Sequence, residues 1–95
     1  MKLRLRPAVG DEVEEAAAWY EAQNPGLGSR FAEAFFSILE RIEERPRLYP
    51  VVYRETRRAL FPRPFPYMVL FKIETDAIVV LAVLHQARDP KTWQR

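Results

Sequence analysis

Eight consecutive apolar residues, Ala77 to Leu84, lead straight into His85-Gln86-Ala87-Arg88-Asp89-Pro90. The run is far short of the roughly 20 residues needed to cross a bilayer. Its β-branched side chains and closely bounding turn residues predict a buried strand over Ala77–His85. Strict alternation puts Ile78, Val80, Ala82 and Leu84 on one face, with Val79, Leu81, Val83 and His85 on the other. Both faces are then apolar. That requires a central strand covered on both sides, or a second face that awaits a partner. The same strand carries the chain's single histidine, His85, and then Arg88 to the edge of the fold.

The segments before it supply the rest of a sheet. Tyr67–Ile73 reads as a strand, and the short turn Glu74-Thr75-Asp76 makes it an antiparallel hairpin with Ala77–His85. Val51–Tyr53 and Arg57–Phe61 read as one strand or an interrupted pair, after which Pro62 and Pro64 break the chain. Residues 2–6 alternate leucine with lysine and arginine, a half-buried strand ended by Pro7.

Two helices lie between. Asp11 and Glu14 resemble a capping box, and the acidic run Asp11, Glu12, Glu14, Glu15 suits the positive end of a helix dipole. Val13, Ala16, Ala17 and Tyr20 share one thin face of that helix, so a neighbour can approach closely. The turn Asn24-Pro25-Gly26-Leu27-Gly28 offers glycines where positive φ is needed. In the second helix Leu27, Phe31, Ala34, Phe35, Ile38, Leu39 and Ile42 form one stripe, and Pro46 stops it. So short a connection predicts an antiparallel helical hairpin. The expected order is β-α-α-β-β-β: an α+β fold with the hairpin packed on a small, mainly antiparallel, curved sheet. All of it falls in a single domain over 1–95, because a split would leave two pieces too small to bury a core.

Composition narrows the function. With 48% hydrophobic and 29% charged residues the chain is globular rather than disordered. It has no cysteine, so disulfides and thiolate metal sites are excluded. Met1 to Pro7 has no apolar signal-peptide core, and a cytoplasmic protein that needs no membrane is the expectation. Residues 1–45 hold six basic and nine acidic side chains, whereas residues 46–95 hold nine and four. The basic half suits a nucleic acid or an acidic protein, or is a solvated strand face. No glycine-rich phosphate loop, nucleophile elbow or metal-ligand spacing is present, so no cofactor and no metal are expected.

Several short features in order point to one family. They are Trp19-Tyr20, Pro25-Gly26-Leu27-Gly28 ahead of Arg30-Phe31, and Arg57-Arg58 ahead of Phe65-Pro66-Tyr67. Ala82-Val83, His85, Arg88-Asp89-Pro90 and Trp93 complete them. Together they resemble the ParE branch of the RelE/ParE toxin superfamily. The resemblance implies a toxin of a type II toxin–antitoxin pair, encoded beside a ParD-like antitoxin whose C-terminal segment wraps it. It also implies inhibition of DNA gyrase by binding. Arg88, Trp93 and Arg95 are the expected target contacts, Trp93 and Arg95 being residue types that anchor interfaces. Trp19, Tyr20, Phe31 and Phe35 are the expected antitoxin contacts, in an apolar groove between helices and sheet that suits a partner helix.

The RelE branch implies a different activity, ribosome-dependent cleavage of mRNA without a metal. That chemistry needs a base, an acid and cations for the phosphorane-like transition state, and Arg57, Arg58, His85 and Arg88 are its candidates. Arg57 and Arg58 are adjacent in a strand, so at most one points into a shared site. Trp93 stands near the C-terminus where several RelE-like nucleases have a tyrosine or histidine, and indole transfers no proton. His85 then has a second reading, as a group that satisfies the backbone where the strand leaves the sheet. A third reading of the whole chain is a toxin-like module that only binds antitoxin.

Overall fold

A computed structural model of the chain describes residues 1–88. It contains β1 (Lys2–Leu5), α1 (Pro7–Gln23), α2 (Leu27–Glu44), a 3-10 turn (Pro46–Leu48), β2 (Val51–Tyr53), β3 (Thr56–Leu60), β4 (Tyr67–Ile73) and β5 (Ala77–His85). The five strands form one sheet in the order β1-β5-β4-β3-β2. All pairings are antiparallel except β1 with β5. This is the α+β architecture expected above, with the 51–61 stretch folded as a pair of strands.

Helix α1 begins four residues before the acidic box. Pro7 occupies its first turn, where a missing N–H is harmless and a fixed φ fits the helix. The acids therefore sit in its second turn and do not cap it. Val9, Val13, Ala16 and Tyr20 form the buried face of α1. In α2 the stripe Phe31, Phe35, Ile38, Leu39 and Ile42 is buried, each such side chain contributing about 1.5–3 kcal/mol.

Between the helices the chain needs both glycines, for different reasons. Gly26 adopts φ +91°, in the left-handed region. Gly28 lies where a Cβ would be 2.5 Å from the Ala17 carbonyl oxygen, so it permits the close approach of the hairpin. The Glu21 carboxylate, near the end of α1, accepts the N–H groups of Gly26 (3.0 Å) and Gly28 (3.0 Å) and so caps α2 from its neighbour.

Strict alternation fails in β5. Leu70 pairs with Ala82 and Phe71 with Val80, so Leu81 is an extra residue, a β-bulge. Beyond it the faces exchange. Val83 joins Ile78 and Val80 in the core under the helices, while Ala82 and Leu84 lie with Val79 and Leu81 on the opposite face. The expected grouping of Val83 with Val79 and Leu81 is thus corrected. The bulge also turns His85 to the helical side, where its ring meets Tyr67 edge-on at 5.4 Å.

Candidate functional site

A cleft of about 820 Å³ opens between α1 and the far ends of β4 and β5. Its wall on α1 presents Glu12, Glu15 and Trp19; its opposite side presents Tyr67, His85 and Arg88. Aromatic rings run across it: Trp19 meets Tyr20 at 5.2 Å, Tyr20 meets Tyr67 at 6.1 Å, and Tyr67 meets His85. Trp19 remains 60% exposed, an open indole beside a floor of two tyrosines. Burial, followed by the neighbouring Tyr67, raises the Tyr20 pKa, so its phenol keeps its proton at neutral pH.

Glu12 is the residue that pattern reading missed. Its Oε1 accepts the Val83 N–H at 2.9 Å and thereby joins α1 to β5 beyond the end of β1. Burial raises its pKa, opposed by the Val83 bond and the charge of Arg88 and assisted by Glu15. A signal existed: Val9, Glu12, Ala16 and Trp19 follow helical spacing along the inward edge of α1, so one acid shares a face with core residues.

Linkage gives this acid a testable sign. A folded pKa above the unfolded one means that the fold prefers protonated Glu12. That contribution is full below the unfolded carboxylate range and is lost as pH rises through the folded value. Glu12→Gln keeps an acceptor for Val83 without the ionisation. It should match or exceed the parent in denaturant midpoint at neutral pH, with the difference shrinking as pH falls through the carboxylate range. Glu12→Ala should lose about 1 kcal/mol at either pH.

The sequence candidates do not all converge. His85 and Arg88 line the cleft. The His85 Nδ1 accepts the Ala87 N–H at 3.0 Å, and the His85 carbonyl accepts the Arg88 N–H at 2.9 Å, so both hold the turn that leaves β5. Arg57 donates to the carbonyls of Tyr49 (2.7 Å) and Arg47 (3.3 Å), fastening the chain between α2 and β2. Arg58 pairs with Leu70 on the sheet face away from the helices, the opposite face to His85. Phe31 is buried against Tyr20 and Tyr67, and Phe35 is buried in the core; neither lines the cleft. Trp93 and Arg95, with Asp89 and Pro90, lie outside the described residues. Among the described residues no group of three or more His, Asp or Glu is placed to hold a metal. No helix among them is long and apolar enough to cross a membrane.

A helical hairpin on this five-stranded sheet, with an aromatic cleft at the end of β5, is the arrangement that the resemblance to RelE/ParE toxins implied. Residues 3–90 match the family described as ParE toxin of type II toxin-antitoxin system, parDE, and the chain belongs to that family. It is 29% identical over 90 residues to Toxin ParE2 of Mycobacterium tuberculosis (strain CDC 1551 / Oshkosh), covering 94% of this chain and 85% of that protein. Toxin ParE2 of strain ATCC 25618 / H37Rv gives the same figures. The fold is similar to a chain from the chromosomal ParDE TA system from P. aeruginosa, with a TM-score of 0.79 over 90% of this chain and 95% of that one at 12% identity. The protein is a toxin of the ParDE type, and such a system includes an antitoxin partner.

Proposed function

We propose that this toxin acts in the cytoplasm by binding DNA gyrase, and that a ParD-like antitoxin neutralises it by occupying the cleft beside Trp19 and Tyr20. One observation carries the choice of a binding mechanism over RNA cleavage. The four residues that a RelE-type nuclease would use are dispersed, with Arg57 and Arg58 on opposite faces and Arg57 committed to two carbonyls. His85 and Arg88 alone share the cleft, and the imidazole Nδ1 already accepts a backbone N–H. Among the described residues, the other proton-transfer groups that line the cleft, Glu12, Glu15, Tyr20 and Tyr67, are accompanied by one arginine, Arg88, and not by the cluster of cations that a phosphate-cleaving site needs. The exposure of Arg88 at the turn after β5 supports a role for it in contacting the target.

The reading is tested with purified toxin, gyrase and supercoiled plasmid. Linear DNA should accumulate only when gyrase is present, and the His85→Ala variant should retain most of this effect. Intact plasmid together with ribosome-dependent mRNA cleavage, abolished in His85→Ala, would establish the nuclease instead.

A further inference from the structure

The strand edge in the cleft is incomplete. β1 pairs with β5 only as far as Val80, whose carbonyl accepts the Arg6 N–H at 3.0 Å, yet β5 runs on to His85. On the other side β4 fills the ladder, and Gln86 N–H reaches the Pro66 carbonyl at 2.8 Å. Alternation then turns the backbone groups of Val83 and His85 outward. The Val83 N–H is taken by Glu12, and the His85 carbonyl by Arg88 N–H. Among the described residues no partner takes the Val83 carbonyl or the His85 N–H on this edge, where Val83 is buried and His85 exposed. Sheet edges of this kind pair with added strands unless something blocks them. The opposite edge, β2, is a poorer template: it has three residues, follows Pro50, and meets β3 in an irregular register.

We propose that the Val83–His85 edge, blocked by Glu12 in the free toxin, receives an extended segment of the antitoxin, and that Glu12 and Glu15 select a lysine or arginine on it. This rests on the antitoxin reading above. Charge identifies the occupant. Glu12 and Glu15 both line the cleft, and once a strand takes the Val83 N–H the Glu12 carboxylate needs a new partner in a partly desolvated place. The groups that face it are Glu15, Arg88, His85 and Tyr20; Arg88 comes from the exposed turn and acts from the rim. A cation brought by the incoming segment answers the acidic pair, while an apolar side chain beside it lies against the Trp19 indole. A glutamine would satisfy Val83 as well as Glu12 does, without the cost of burying a charge, so the carboxylate is suited to recognition beyond that bond.

The test uses the full chain co-expressed with the antitoxin encoded beside it, with amide exchange followed by NMR. The expected result is a complex in which the His85 amide gains protection and the Val83 amide, already bonded to Glu12 in the free toxin, stays protected. Glu12→Gln should bind at least about tenfold more weakly than the parent, with no fall in its own denaturation midpoint. A parent complex that leaves the His85 amide unprotected, or that Glu12→Gln forms equally well, overturns the proposal and leaves the toxin–antitoxin reading intact. Failure of the parent to form any complex overturns both. Protection of the same amide by self-association of the toxin alone assigns the edge to a second copy and also overturns it.

Discussion

Phe31→Ala should cost about 3–5 kcal/mol, most of the stability of a domain this small. Phe31 is fully buried and stands at the centre of an aromatic cluster. It stacks on Phe61 at 4.7 Å and on Tyr20 at 5.4 Å, and meets the edges of Phe65 and Tyr67, each at 5.2 Å. Truncation removes the ring from the middle of four others, and these rings, held by α1, β4 and the segment between β3 and β4, have little freedom to close the void. The cleft should suffer with the core, because Tyr20 and Tyr67 form its floor and rest on Phe31. Phe36→Ala provides the contrast. That ring is 60% exposed, further along the same helix, and its removal should change stability by about 0.5 kcal/mol or less. Urea denaturation of the two variants beside the parent measures the difference.

Gly28→Ala should destabilise the protein by about 1–3 kcal/mol, although alanine is the better helix former. The added methyl carbon would stand 2.5 Å from the Ala17 carbonyl oxygen and 2.9 Å from the Glu21 Cβ. The first of these is backbone and cannot rotate away, so the hairpin must open where Glu21 caps α2. Gly10→Ala, in α1, should do the reverse. Its new carbon meets nothing within 4 Å, and the lower entropy of the unfolded chain should add about 0.4–1 kcal/mol. Thermal melts of both variants check the opposite signs. Equal stabilisation by the two alanines would mean that the helices do not approach as closely as described.

Strands β4 and β5 were readable to the residue, because long apolar runs bounded by prolines and a polar turn leave little choice of ends. The α2 stripe was equally plain, since its period is close to 3.6 and its outer face is charged. The bulge at Leu81 was not readable. Its neighbours on both sides are aliphatic, so a slip from one face to the other leaves no break in the hydrophobic pattern. That single residue decides which way Val83 and His85 point, and therefore what the cleft contains. Phe31 and Phe35 were expected at the antitoxin contact from the family resemblance, whereas their place on the apolar stripe of α2 does not show how deeply the fold covers them. Glu12 was hidden by its acidic neighbours, which assigned the whole run to the helix dipole, whereas the acceptor role arises only where β1 ends and β5 continues.

Gyrase binding by this ParE-family toxin, as proposed above, is open to a direct test by pulse-labelling of bacteria minutes after induction of the chain alone. DNA synthesis should fall first while translation continues, and His85→Ala should behave like the parent. An immediate fall in translation with DNA synthesis still running would contradict gyrase binding and return His85 and Arg88 to the role of catalytic groups.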